Sequence, residues 1–347
     1  MSTPREQSFY MPAEWYPHEC CWMQWPYQNP NFNSDGEVPT WSHFDIEKGR
    51  IAWANVANAI SNFEPVKMIV HPDNIINAKK LLNEKVEIHK FINDDAWARD
   101  SGAIFLLNKE NKLGGIDWEF NGWGKFFPYD SDNKIAKFMI ENADATYFKN
   151  NMILEGGSIH TDGDGTLLTT EQCLLNKNRN PDLSKEKIEE NLKNYLGVNK
   201  VIWLKNGTDE GTDGHVDNVA CFVKPGKILA LSCSDKQDPF YDKINENLEI
   251  LKTTLDSKGN FLDIIELEMS YKRLIPNDDE PSSYINFYIA NKGIVMPSFD
   301  DEKADIRAKN IIQSAFPDRK IITINGIDIS MGGGNVHCIT QQQPMSL

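Results

Sequence analysis

The chain has 347 residues, 40 % of them hydrophobic and 25 % charged, with nine Trp, ten Tyr and seventeen Phe, enough to fill a large core. A formal charge of −15 repels phosphate backbones and argues against a nucleic-acid partner. No apolar run approaches the roughly 20 residues that span a bilayer, and the opening MSTPREQSFYMPAEW has no signal-peptide core, so no membrane association is expected. Cys20, Cys21, Cys173, Cys221, Cys233 and Cys338 form no CxxC pair, which points away from a disulfide framework or zinc cluster and toward a cytoplasmic protein.

Along the chain, helix-like apolar spacing predicts helices over 43–62, 73–83, 131–142, 184–196, 240–257 and 301–315, with Asp73, Ser131, Ser184 and Asp300 as N-caps. Between them lie hairpins. Asp100 to Trp118 turns at KENK, Glu155 to Thr170 at DGDG, His215 to Cys233 at KPGK, and Tyr284 to Pro297 at ANKG. A fifth copy opens at Gly332. The polar clusters at Asp100, Glu155, His215, Tyr284 and Asn335 follow one another at intervals of 55, 60, 69 and 51 residues. A degenerate repeat of five strand-rich units predicts an α/β, propeller-like ring, a single domain over 1–347; the alternative is an ordinary mixed α/β sheet. In a ring the polar clusters share an axis, so the chemistry is sought there.

GGGNVHC, 332–338, is the strongest cluster. Its glycines let backbone pass close to a ligand, and a Cys directly after such a turn can lie open, whereas the other five Cys sit in apolar contexts. Cys338 is therefore the candidate nucleophile. Alternation along a strand turns His337 away from it, so the activating base is expected elsewhere. In TDGHVDN, 212–218, His215 and Asp217 share a strand face, as general acid/base work requires. NDDAWARDSG, 93–102, offers Trp97 and Asp100 as an aromatic face plus a carboxylate, with a surface Arg99–Asp100 pair as the plainer account. In ILEGGS, two glycines expose Glu155. Seven His without an HxH, HExxH or DxHxD run predict no metal, and no cofactor is expected.

A Cys–His pair alone suits a protease or amidase, but those need oxyanion donors rather than carboxylates. Asp100, Glu155 and Asp217 around a thiol instead suit a planar guanidinium, held by paired N–H bonds. Thiolate attack on its central carbon, loss of ammonia with a proton from His215, and hydrolysis of the amidino-thioether would complete a metal-free deimination.

At these residues the chain resembles the agmatine deiminases, within the guanidino-group-modifying enzymes. MPAEWYPHECCWMQWP, DDAWARDSG, DWEFNGWG, LEGGSIHTDGDGTLLTTEQCLLNKNRNP, GTDGHVDN and GGGNVHCITQQQP stand in that family's order from residue 11 to 344. The resemblance implies a five-bladed pseudo-symmetric propeller. Cys338 would be the nucleophile, His215 the acid/base group, Asp100 and Asp217 the guanidinium ligands, Glu155 a ligand aiding proton transfer, and Trp97 a pocket wall. It also implies conversion of agmatine to N-carbamoylputrescine and ammonia, a place in polyamine (putrescine) metabolism, and a homodimer or higher oligomer. Where the family often carries an acid four residues before the His, this chain has Gly211; Glu210 or Asp213 could read the substrate's terminal amine instead. The competing readings are an arginine or peptidyl-arginine deiminase, a metal ureohydrolase or amidinotransferase, and a non-catalytic guanidine-binding protein.

Overall fold

In the computed structural model, which describes residues 2–28, 45–274 and 280–347, the strands form five separate small sheets. Each repeats one plan: two antiparallel strands, a helix, then a third strand parallel to the second. The first blade runs Ile104–Asn108, Leu113–Glu119, helix Ile135–Asn142 and Thr146–Ile153, with Phe9–Tyr10 added at its edge. The second uses Ile159–Thr161, Thr166–Thr170, helix Lys185–Leu196 and Lys200–Leu204. The third uses Ala220–Lys224, Lys227–Ser232, helix Tyr241–Thr253 and Asp263–Glu268. The fourth uses Tyr288–Ala290, Gly293–Ser298, helix Glu302–Ala315 and Lys320–Asn325.

The fifth blade closes the ring. Its first strand, Thr340–Pro344, comes from the C-terminus and pairs antiparallel with His18–Gln24 from the N-terminus; helix Ile46–Ile60 and strand Val66–Val70 complete it, and Val86–Lys90 extends it. Pairing strands from the two chain ends within one blade fastens the ring shut, and radial repetition leaves each blade only short edges. The five-bladed α/β propeller expected from the repeat is the observed fold.

Local chemistry accounts for the elements. The hairpin turns need left-handed backbone, and Asn111, Gly163, Gly165, Gly226 and Lys292 supply it with φ of 56°, 68°, 102°, 72° and 59°. Each helix turns an apolar stripe onto its own sheet: Ile188, Leu192 and Leu196 in the second blade, Ile244, Leu248 and Leu251 in the third, all buried at i, i+4 or i+3 spacing. The caps differ in part from expectation. Ser184 does accept from Lys187 N–H, but Asp301, not Asp300, caps the fourth blade's helix, and Asp45 caps Ile46–Ile60. Asp73 lies inside a short 3₁₀ turn capped by His71, and Ser131 makes no side-chain cap. Residues 43 and 44 of the expected first helix lie outside the described residues.

Candidate active site

Each blade is entered through a tight turn rather than directly through a strand, and these turns carry the polar clusters. Asp100 lies in the single helical turn Ala98–Ser101, Glu155 caps the 3₁₀ turn Gly156–Ser158, and His215 caps the 3₁₀ turn Val216–Asn218 that contains Asp217. His215 and Asp217 are thus brought together by a helical turn, not by the shared strand face expected from their spacing. Cys338 ends the fifth such turn, just before Thr340–Pro344.

Gly157 marks where three of the turns meet. A Cβ placed on it would stand 2.6 Å from His215 Nδ1, 2.8 Å from Asp100 Oδ1 and 3.0 Å from Asp217 Oδ2, so only glycine fits. Its own N–H donates to Asp100 Oδ1 at 3.0 Å, and Trp123 Nε1 donates to Asp100 Oδ2 at 2.9 Å. His215 lies between two carboxylates, with Nδ1 3.7 Å from Asp100 Oδ1 and Nε2 4.0 Å from Glu155 Oε2. Both of its ring nitrogens, Glu155 Oε2 and Asp217 Oδ1 are buried without a hydrogen-bond partner. Native interiors rarely leave so many polar atoms unsatisfied in one place unless a ligand completes them. A planar cation with several N–H donors is the shape and charge that these acceptors lack.

Cys338 Sγ lies 3.5 Å from Asp217 Oδ2 and accepts from Asn286 Nδ2 at 3.2 Å. At 5 % exposure it is buried, contrary to the expectation that its glycine-flanked position leaves it open. All six cysteines are buried and free; Cys173 also lies beside Glu155 and His215, whereas Cys338 faces Asp217 and Asp100. Burial, then Asp217 and Asp100, push its thiol well above the usual range. A guanidinium bound between those carboxylates would reverse part of that effect. Trp97 lies beside it, since a Cβ on Gly334 would meet Trp97 at 2.6 Å and Cys338 Sγ at 3.1 Å.

The ionisation states divide the labour. Burial alone would discharge His215, but Asp100, Cys173 and Glu155 lift its pKa well above the ordinary imidazole value. Burial, with Asp217 and Glu155 adding to it, raises Asp100 to about 6 even though the charge of His215 opposes this. Burial also works against the Asp217 carboxylate, yet His337, through its hydrogen bond and charge, holds it below the normal range. At neutral pH this is an imidazolium ringed by carboxylates, poised to give a proton before it takes one.

Several residues that sequence reasoning passed over belong to the site. Arg179, inside NKNRNP, is fully buried; its Nε donates to Glu155 Oε1 at 2.6 Å and its Nη1 to Asp213 Oδ2 at 2.6 Å. Nη2 donates to Thr212 O at 3.0 Å, so Arg179 ties the Glu155 turn to the loop leading into His215. Asp213 Oδ2, considered above for the substrate's terminal amine, is engaged by Arg179 and Asn178. Gly211 is exposed, with nothing within 4 Å of a Cβ there, and Glu210 is exposed too. Trp123, in FNGWG, is held with φ of +53° between left-handed glycines so that its indole reaches Asp100. Arg99 is not a surface partner of Asp100 but a buried one of Glu14, at 3.2 Å. The signals existed as motifs, but their contacts join residues 23 or more positions apart and could not be read along the chain.

Beside the thiol, Gly334, Asn335, Asn218 and Ser283 line a cavity of about 100 Å³ whose outer wall carries Asp209 and Glu280. Among the described residues lining it there is no Arg or Lys. The closed ring and its axial thiol, imidazole and carboxylates define the class: a five-bladed α/β propeller of the guanidino-group-modifying kind. The chain belongs to the Porphyromonas-type peptidyl-arginine deiminase family, which it matches over residues 10–344. It is 41 % identical to the agmatine deiminase of Pseudomonas aeruginosa, with 99 % of this chain and 97 % of that protein covered. The solved agmatine deiminase of Enterococcus faecalis superimposes with a TM-score of 0.91 at 37 % identity, covering 100 % and 99 % of the two chains. A Cys-to-Ser variant of the C. jejuni agmatine deiminase, solved with substrate bound, gives a TM-score of 0.84 at 29 % identity over 98 % and 97 %.

Proposed function

We propose that this chain is an agmatine deiminase, hydrolysing the guanidinium of agmatine to N-carbamoylputrescine and ammonia through an amidino-cysteine intermediate. The observation that carries the reading is the set of buried, unpartnered acceptors on Glu155 and Asp217, with the Asp100 carboxylate beside them, around His215 and Cys338. The names of the full-length relatives support agmatine as the substrate.

Trp97 and Gly334 form one wall, while Asp100 and Asp217 hold the guanidinium over Sγ. Its positive charge favours the thiolate, and the thiol proton passes to solvent as the cation settles between Asp100 and Asp217. Sulfur bonds to the central carbon. His215 gives its proton to one –NH₂ group, which leaves as ammonia, with Glu155 holding the imidazole in place. Neutral His215 then takes a proton from water as the oxygen bonds to the amidino carbon. Collapse breaks the C–S bond as the carbinol hydroxyl proton passes to the departing Cys338 sulfur, and a ureido product leaves; the thiol proton released at the start ends on ammonia as ammonium.

The acidic outer wall, Asp209 and Glu280, suits the ammonium end of agmatine and offers no cation for an α-carboxylate. That disfavours arginine; with Asp213 bound to Arg179, Asp209 and Glu280 are better placed than Gly211 or Asp213 to read the tail. The 1–347 chain acts as one catalytic domain, cytoplasmic and homo-oligomeric; no described helix is long and apolar enough to cross a membrane. Purified protein with agmatine, arginine and a peptidyl-arginine, in EDTA, should release ammonia fastest from agmatine. Urea with putrescine as products would overturn the deiminase reading.

A further inference from the structure

One motif of the sequence, MPAEWYPH, has no part in the chemistry just described, yet the structure puts its acid directly beneath the site. The segment 11–18 crosses one end of the ring before entering the fifth blade. Glu14 is buried there, touched by groups from three blades. Its Oε1 lies 2.9 Å from His337 Nε2 and accepts from Arg99 Nη1 at 3.2 Å; its Oε2 lies 3.6 Å from His160 Nε2. His160 is oriented for this contact because its Nδ1 accepts from Phe222 N–H at 3.3 Å, which leaves Nε2 as the protonated nitrogen. The Glu14 carbonyl in turn accepts from His18 Nε2 at 2.8 Å, and His18 is held by Glu64 and Tyr288. Glu14 is therefore fixed at both its backbone and its side chain.

The other nitrogen of His337 matters for the site. Nδ1 lies 2.9 Å from Asp217 Oδ2, the oxygen that also stands 3.5 Å from Cys338 Sγ. Ionised carboxylates only accept hydrogen bonds, so a ring between two of them must carry both protons. His337 is thus a buried imidazolium between Glu14 and Asp217.

We infer that Glu14 is a positioning residue of the catalytic centre, acting through His337 to keep Asp217 ionised and aimed at the thiol and the incoming cation. The chain of contacts is Glu14–His337–Asp217–Cys338. Arg99 adjoins both Glu14 and the His337 carbonyl, which Arg99 Nε approaches at 3.4 Å. Without the Glu14 charge, Arg99 and a protonated His337 would be neighbouring buried cations, and His337 would give up its proton. Asp217 would then face only a neutral donor, and its carboxylate would be easier to protonate. The directions agree: burial and Arg99 act against the His337 charge but Glu14 and Asp217 prevail, while His337, Arg99 and His160 hold Glu14 well below the usual range despite burial. The groups facing His337 are Glu14, Asp217, Arg99 and His160; those facing Asp217 are His337, His215, Arg99, Asp100 and Cys338.

The inference rests on Cys338 and Asp217 forming the site proposed above, so its test avoids turnover. Cys338 is alkylated with cationic 2-chloroacetamidine and with neutral iodoacetamide, each rate being read by mass spectrometry across pH 5 to 8 (roughly). The ratio of the two rates reports the negative charge beside Sγ, and general loosening of the fold moves both rates together. In the wild type the ratio falls once on acidification, as Asp100 takes its proton near 6. In Glu14→Gln burial is no longer opposed by the His337 charge and lifts Asp217 into this range, so a second fall adds to the first and lowers the ratio about tenfold further at the acid end. His337→Asn, which keeps a neutral donor toward Asp217, should reproduce that curve, and the double variant should add nothing. A Glu14→Gln curve that overlays the wild type, or effects that multiply in the double variant, would overturn the inference. If Glu14→Gln does not fold, His337→Asn alone decides: a displaced curve supports it and an unmoved one refutes it. Absence of agmatine turnover with these ratios intact would refute the substrate assignment and leave this inference standing.

Discussion

His215 and His337 are both buried, and each lies between two carboxylates, yet they are built for opposite ends. Around His337 the ring nitrogens are satisfied, at 2.9 Å on either side, and Arg99 balances the charge. Around His215 neither nitrogen has a hydrogen-bond partner and the carboxylates stand back at 3.7 and 4.0 Å. A satisfied polar network in low dielectric is rigid; an unsatisfied one is a binding site waiting for its ligand. The lower network is a plug, and the upper one is the chamber that it supports.

Substitutions can break that contrast in graded steps. Cys338→Ser should leave the fold intact, by circular dichroism, and lower kcat by at least about 10⁴-fold, as loss of a covalent nucleophile does. Full turnover by that variant would end the proposed mechanism. Arg179→Met removes the cation from a pair in which both side chains are fully buried, Glu155 being the partner. Chemical denaturation should show a loss of about 3–5 kcal/mol, because a buried carboxylate is left uncompensated. Gly157→Ala should spare stability more than activity. Its methyl group would intrude between His215 and Asp100, and misplacement on that scale costs about 10²-fold in kcat/KM.

The pH dependence sharpens the same comparison. Asp100, raised to about 6 chiefly by burial, must be ionised to hold a cation, so kcat/KM for agmatine should fall as pH drops through about 6, with Asp100→Asn flattening that limb. The linked stability has the opposite sign. A carboxyl whose folded pKa lies above its unfolded value favours folding when protonated, so its contribution is lost as pH rises from 3.8 through about 6. Thermal melts should therefore show agmatine stabilising the protein more at pH well above 6 than below it. Ser184→Ala, at the cap of Lys185–Leu196 and far from the chamber, should cost about 1 kcal/mol and leave kcat unchanged. A change in kcat there would mean that the blades communicate more tightly than this division allows.

Much of the ring was legible in the sequence because its causes are local. Turn chemistry at KENK, DGDG, KPGK and ANKG, apolar helix spacing, and the recurrence of five polar clusters each act over a few residues, and the first four hairpins stand where those signals put them. The convergence of Cys338, His215, Asp100, Glu155 and Asp217 was legible for a similar reason: chemistry restricts which residue types can serve, and glycines flank several of them. Closure of the fifth blade between the two chain ends was not, since pairing residues more than 300 positions apart leaves no local trace. The burial of Cys338 was misjudged on the same ground, because what covers it comes from other blades. Only the tertiary structure assigned Arg179 to Glu155, Asn286 to Cys338 and Glu14 to His337, contacts between residues 24, 52 and 323 positions apart. The sequence by itself determined which groups the protein owns and the repeat that gathers them. Folding decided which of them are satisfied, and burial in low dielectric made that difference into an open chamber of carboxylates above a plug of paired charges.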